Sequence, residues 1–418
     1  MAVRGIDWYG SPAVARRIVA FDGGYPRIYG VGDSLCSSAY SATDATNTAI
    51  QYGIVNTWRP KRINGWNMLS LSQGDAYAYY SFYSTGVNYT PGDALPDALG
   101  TNLIPIPCAY TEFASNLGDG GTASRHYIES TVVSPRYLAD LNWERRNAPM
   151  TARIVYLRHA TAANMLFVGA RPDPNAQSTA NVDMAGASGI AYSDLAINGD
   201  GSTDTQPGAQ TRYRTGIDET GTNLIHVMSR VFYPSNNGFE YLAGGIGGKT
   251  AAEHAGTTLY SDAALAELVA ATESNVFMIC VGANAGLGGS RATYKASVTA
   301  IIERYRSAAA TAGIASPQFL LWAPWYNDQN TDADIDTMND VLFEIAASRT
   351  DTLAINVARQ LGDTTAIRID DIHMSRAGSD DAAEAMWDLL ESSAASGGGG
   401  YRGGRSFGRL SRPLGGVR

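Results

Sequence analysis

The C-terminal half of the chain alternates short apolar runs with longer amphipathic stretches. "NVFMICVG" (275–282), "QFLLWAP" (318–324) and "TLAINV" (352–357) read as buried strands. "SRATYKASVTAIIERYRSAAATAGI" (290–314) carries apolar residues at helical spacing and stops at glycine. "TDADIDTMNDVLFEIAAS" (331–348) opens on capping residues and continues amphipathically, and "SRAGSDDAAEAMWDLLESS" (375–393) is a last helix. Strands separated by helices predict a parallel sheet covered on both faces. A further apolar run lies far upstream. "RIYGVGDSLCSSAY" (27–40) ends in Gly-Asp-Ser-Leu, with a serine just past the predicted strand.

The middle of the chain has another rhythm. From about residue 75 to 235 helical periodicity is scarce. "ARIVYLRHA" (152–160), "NMLFVGARP" (164–172) and "NLIHVMSRVFYP" (223–234) read as strands, the last with Ile225, Val227 and Val231 on one face. Turn-rich tracts such as "INGDGSTDTQPGAQ" separate them. An inserted antiparallel β module, sandwich-like, is expected over 76–235, within a discontinuous domain made of 1–75 and 236–395. The tail 396–418 has four consecutive glycines, five arginines and no acid. Such a segment buries too little apolar surface to fold alone, so it is expected to hold the protein in a homo-oligomer or larger assembly.

Composition narrows the classes. At 418 residues the chain exceeds one ordinary core. It is 44% hydrophobic and 17% charged, which marks a globular protein. A net charge of -9 argues against nucleic acid as the partner. No apolar run is long enough for a membrane span, and no leader is read in "MAVRGIDWYGSPAVARRIVAF". Three cysteines are too few for a disulfide framework, and Cys36 and Cys280, each beside an apolar run, read as buried free thiols.

The serine at 34 has two readings: a helix cap, together with Asp33, or a nucleophile presented at a strand end. The second needs partners, and the sequence offers them. In "RIDDIHMSRAG" (368–378), His373 follows Asp370 by three residues. On a loop before a helix, that spacing lets the carboxylate accept the imidazole Nδ1–H and fix the tautomer. Asp371 competes for this role and ranks below Asp370. "AGGIGGKTAAE" (243–253) is a glycine-rich turn after a strand, with backbone N–H groups facing outward. In "CVGANAG" (280–286), Asn284 follows a strand and offers amide donors. Gly248 could instead serve a tight turn, and Asn284 a structural cap.

Several other patterns lead nowhere. His126, His159, His226 and His254 lack metal-ligand spacing, so no metal is expected. "NGDGSTD" (198–204) has Ala196 where a calcium loop needs its first ligand. "GGIGGKT" has Ala243 where a phosphate-binding loop needs glycine. "WAPWYND" (322–328) follows a strand, which suggests Trp325 and Tyr326 as cleft residues and Trp322 as core.

Together these segments resemble, in order, the blocks of the GDSL or SGNH hydrolase superfamily. "GDSL" (32–35) resembles its nucleophile block, "IGGKT" (246–250) its second, "GAN" (282–284) its third and "DDIHMSRAG" (370–378) its Asp-x-x-His block. The resemblance spans roughly residues 25–70 and 236–395. It implies a flavodoxin-like three-layer α/β/α domain and a serine esterase without cofactors. Ser34, His373 and Asp370 would form the triad, and the Ser34 and Gly248 N–H groups with the Asn284 side chain the oxyanion hole. The chain departs from the family at Ala285, where Asp is frequent. Ser34 and Gly248 lie 214 residues apart, whereas a βαβ unit needs about 30, so the β module is expected to interrupt the first crossover and overhang the site. A β module beside the site suits a carbohydrate, and O-acetyl ester hydrolysis is the expected reaction. The β-rich insertion and the Gly/Arg tail raise a virion surface as the setting, a cytoplasmic protein being the other. The alternative function is a structural or adhesion protein that keeps the fold as scaffold.

Overall fold

A computed structural model describes residues 6–24, 26–36, 50–58, 240–245, 248–257 and 259–396, together with strands between 94 and 232: those named below and two short ribbons, Ala94–Pro96 with Leu103–Pro105 and Ala114–Ser115 with Ala123–Ser124. The expected tail beyond Ser396 lies outside the described residues.

Six strands form the central sheet: β1 (Trp8–Gly10), β2 (Arg27–Gly32), β3 (Glu240–Ala243), β4 (Val276–Cys280), β5 (Gln318–Trp322) and β6 (Thr352–Ile355). Their order is β1-β6-β5-β4-β2-β3. Only β1 runs antiparallel; every other neighbouring pair is parallel. The fold is thus mixed α/β with a parallel-dominated sheet. Numbered without β1, the parallel strands follow the order 2-1-3-4-5 of a doubly wound sheet, whose switch point lies between β2 and β4. Ligands of such sheets bind beyond the carboxyl ends of the strands at that point. Gly32 and Cys280, the last residues of β2 and β4, sit opposite each other in register.

Besides the short helical stretch formed by Ile50–Gly53 and Ile54–Trp58, the helices are α1 (Pro12–Ala20), α2 (Ala251–Ala255), α3 (Asp262–Thr272), α4 (Arg291–Thr311), α5 (Asp332–Ala347), α6 (Val357–Leu361) and α7 (Arg376–Ala395). Side chains alternate across a strand, so each strand serves two cores. Ile28, Met278, Leu320 and Leu353 join Ile18 of α1 and Met386 of α7 in one buried cluster. Tyr29, Phe277 and Phe319 point the other way, toward α4. Tyr305 of α4 has ring centroids 6.2 Å from Tyr29 and 5.0 Å from Phe277, which stacks on Phe319 at 5.6 Å. The sheet is therefore the middle of three layers. Cys36 and Cys280 are free and buried, as read from the sequence.

The strands between 94 and 232 pair only antiparallel. Tyr110–Thr111, Ile128–Ser130, Met150–Arg158, Gly189–Ile197 and Leu224–Phe232 form one sheet; Arg136–Glu144, Met165–Ala170, Ser178–Val182 and Gln210–Ile217 form a second. The register shifts between Val155 and Tyr156 against the strand 224–232, so strict alternation does not run through that strand. How the two sheets face each other, on which the sandwich expectation turns, lies outside the described residues. Where the module meets the core, it meets the flank of α3. The backbone N–H of Ile190, a buried residue, donates to the Glu267 carboxylate at 2.7 Å.

Candidate active site

The serine-bearing turn is built on a close backbone approach. A Cβ on Gly32 would lie 1.9 Å from the Cys280 carbonyl oxygen, so only glycine lets β2 end against β4. The chain then turns through Asp33 into a single 3-10 turn, Ser34–Cys36. Cys36 donates its N–H to the Asp33 carbonyl at 3.1 Å, and its own carbonyl accepts the Gly245 N–H at 3.1 Å. The turn is thereby fastened to the end of β3. Ser34 is half-buried, between buried neighbours on both sides.

The Asp370–His373 segment reaches the same edge. Arg368 and Met374 form a short antiparallel bridge, and the Ile369 N–H donates to the His373 carbonyl at 2.9 Å, which closes a tight loop. Within it, Asp370 Oδ1 accepts the N–H groups of Ile372 at 2.9 Å and His373 at 2.7 Å. His373 Nδ1 stands 2.9 Å from Asp370 Oδ2, and His373 Nε2 stands 2.9 Å from Ser34 Oγ. With the proton on Nδ1, the ring donates to Asp370 and accepts from the serine hydroxyl. Partial burial would raise the Asp370 carboxyl, but the His373 and Ile372 N–H groups and the His373 ring outweigh it and hold the group below the ordinary carboxylate range. Asp371 is turned outward, and its carbonyl accepts from the Asp328 N–H at 2.9 Å and from the Arg368 guanidinium.

The other two segments meet through one side-chain-to-backbone hydrogen bond. Gly248 lies in the turn after β3, exposed, with φ +73°, a conformation that favours glycine. Thr250 closes the turn as the cap of α2, in a reciprocal capping box with Glu253. Asn284 follows β4, and its side-chain amide donates to the Lys249 carbonyl at 3.3 Å, which ties the β4 loop to the glycine turn. Ala285, next to it, holds φ +63°, a left-handed conformation rare for a residue with a side chain. Asp and Asn tolerate that region better than Ala.

The two aromatic candidates fall differently. Trp325 is fully buried, and its indole N–H donates to the Ile372 carbonyl at 2.6 Å. The cleft expectation for Trp325 is corrected accordingly: the ring supports the His373 loop from inside and leaves no face for a substrate. Tyr326 is partly exposed and donates its hydroxyl to Asp336 at 2.8 Å. Trp322 is buried in the core.

Sequence reasoning gave Asp33 only a capping role and His254 only the absence of metal-ligand spacing. Asp33 is fully buried and accepts the N–H groups of Leu35 at 3.1 Å and Ala283 at 3.0 Å. Burial pushes its carboxyl up to about 7, against the pull of those N–H groups and of Gly282 and its own. The signal was an acid inside an apolar run, which a cap explained equally well. Among the described residues no group of three His, Cys, Asp or Glu side chains could hold a metal ion, and no helix is long and apolar enough to cross a membrane.

No family model matches the chain, and no curated protein matches it either. Solved structures do. A Bacillus subtilis protein, YxiM, is 14% identical, with a TM-score of 0.32 over 68% of this chain and 88% of its own. A carbohydrate esterase of family 3 from Talaromyces cellulolyticus is 16% identical, with a TM-score of 0.29 over 38% of this chain and 77% of its own. The structure of TesA is 21% identical, with a TM-score of 0.28 over 37% of this chain and 81% of its own. Likeness at this level leaves the function to the chemistry of the site.

Proposed function

We propose that the chain is a serine esterase of the GDSL or SGNH type. The observation that carries the reading is the unbroken hydrogen-bonded chain from Ser34 Oγ through His373 to Asp370 at the carboxyl edge of the sheet. Three residues from two distant parts of the sequence, serine and histidine 339 positions apart, meet in the order that nucleophilic acyl transfer requires.

Ser34 Oγ attacks the ester carbonyl as His373 Nε2 takes its proton. The bond to the leaving alcohol breaks as His373 returns that proton to it. A water then attacks the acyl-serine with His373 as base, and Ser34 leaves with the proton. Asp370 holds Nδ1–H and stabilises the imidazolium, which its depressed carboxyl suits. The oxyanion is assigned to the N–H groups of Ser34 and Gly248 and the amide of Asn284. Their loops are tied by the Lys249 carbonyl, so the donors need little reorganisation as charge develops. The favoured substrate is a short ester, an O-acetyl group on a carbohydrate, a preference that rests on the β-rich module. A scaffold protein with an idle fold would have no need of a serine, histidine and aspartate aligned in this way.

Kinetics of Ser34→Ala on p-nitrophenyl acetate test the reading. A folded variant should lose about 10⁴–10⁶-fold in kcat, the remainder coming from binding and the oxyanion donors. Undiminished hydrolysis by that variant would refute a Ser34 nucleophile.

A further inference from the structure

Asp33 performs none of the steps above, yet among the described residues it is the one fully buried carboxyl beside Ser34. Its described partners are all backbone N–H groups. Oδ1 accepts from Leu35, inside the nucleophile turn, and Oδ2 accepts from Ala283, on the loop after β4. A helix cap would need only the first of these bonds, and Asn or Ser could supply it. A buried carboxyl that also reaches the next strand's loop carries a large desolvation cost, so its second bond calls for a role.

The residue after Ala283 is Asn284. The loop that carries it does not hold its shape by local preference. A Cβ on Gly282 would meet Met338 Sδ at 2.7 Å, and Ala285 is left-handed without being glycine. Side chains fix the Ala283 peptides on both sides: Asp33 takes the N–H, and Asn330 Nδ2 donates to the carbonyl at 3.3 Å.

We propose that Asp33 is a positioning residue: one carboxyl grips the nucleophile turn and the Asn284 loop together and so sets the spacing between the Ser34 N–H and the Asn284 amide. The inference rests on the esterase reading of Ser34 and Asn284. Two acceptor oxygens are essential to it. An asparagine at 33 offers one, and its NH₂ group confronts the other N–H, so one of the two loops is released.

A double-mutant cycle of Asp33→Asn and Asn284→Ala on p-nitrophenyl acetate tests the link. Losing one oxyanion donor costs about 10²–10³ in kcat, and Asp33→Asn should cost at least about tenfold with KM held within about twofold. In the Asn284→Ala background it should cost clearly less, because the amide whose spacing from the Ser34 N–H the grip sets is already gone. An unchanged kcat in Asp33→Asn, or an equal loss in both backgrounds, would overturn the proposal. Amide exchange separates this from the esterase reading. Should the wild type hydrolyse no ester, that reading fails, while the grip still predicts slow exchange at Leu35 and Ala283 and at least about tenfold faster exchange in Asp33→Asn, with the Ile279 amide unchanged. Equal exchange in both proteins overturns the grip. Should Asp33→Asn not fold, fast exchange at Leu35 and Ala283 in the wild type overturns it alone, and protection there as strong as at Ile279 supports it.

Discussion

Asp33 and His254 are buried titratable side chains beside Gly32. Burial is the main cause that lowers His254 to about 4, with Lys249 and Arg304 adding to it and the Gly32 carbonyl and Glu253 opposing. Burial raises Asp33 to about 7. In the unfolded chain His titrates near ~6.5 and Asp near ~3.9. His254 therefore contributes stability that is present above ~6.5 and lost as pH falls toward the folded value. Asp33 contributes stability that is present below ~3.9 and lost as pH rises through the folded value. Between pH ~4.5 and ~6.5 the two slopes oppose each other, each at most about 1.4 kcal/mol per pH unit. Relative to the wild type, Asp33→Asn should lose stability as pH drops across that window, and His254→Gln as pH rises across it. Urea midpoints at the two pH values read both; differences that do not change with pH would contradict the assignment of these groups. The hydrogen-bonded row of Ser34, His373 and Asp370 could be anticipated at this scale because its residue types and local spacing are written in "GDSL" and "DDIH". The bond from Asp33 to Ala283 could not, since it joins residues 250 positions apart through a backbone N–H that any residue type carries. Trp325 misled for a related reason: its position after β5 is legible, but which way the ring turns is decided by packing against the Ile372 loop.

The elements around His373 depend on one close approach. Ser375 caps α7 by accepting the Gly378 N–H at 3.0 Å, and a Cβ on Gly378 would lie 2.3 Å from the Ile367 carbonyl. The helix can start directly behind the triad loop because residue 378 has no side chain. Gly378→Ala must push α7 away from Ile367, at a cost of about 1–3 kcal/mol, and it should lower kcat beyond what unfolded protein accounts for, because Met374 and His373 move with the cap. A thermal melt and kcat at a temperature well below it are the measurements; a variant as stable and as active as the wild type would contradict this. Whereas α3 and α6 were not read, the helices read at 290–314, 331–348 and 375–393 match α4, α5 and α7 to within a few residues. Their stops and starts are chemical: Ser290, Thr331 and Ser375 each cap by accepting a backbone N–H three residues on. β1 was not legible, because three residues cannot display a period, and its antiparallel place against β6 is set by the sheet.

Across the whole molecule, the parallel sheet brings together segments that the β-rich stretch separates. The strand order was readable only through the family resemblance; nothing in the alternation of strands and helices says which strands adjoin. The described contact of the module with the core is the bond from the Ile190 N–H to Glu267 of α3; whether the module overhangs the site lies outside the described residues. The tail, by our reading, tethers the protein to an assembly through its arginines, with Tyr401 and Phe407 as anchors. Deleting residues 397–418 should leave kcat and KM for p-nitrophenyl acetate unchanged and reduce the assembly's mass by light scattering. Loss of activity with the same mass would place the tail in the active site instead.

The central claim is that Ser34 is an activated nucleophile, and covalent capture tests it most directly. The folded protein is treated with a fluorophosphonate, digested and mapped by mass spectrometry. The account predicts one phosphonyl adduct, on Ser34, formed in the wild type and lost in His373→Ala, whose serine has no base. An unreactive wild type, an adduct on another residue, or labelling of Ser34 that persists at the same rate without His373 would contradict it.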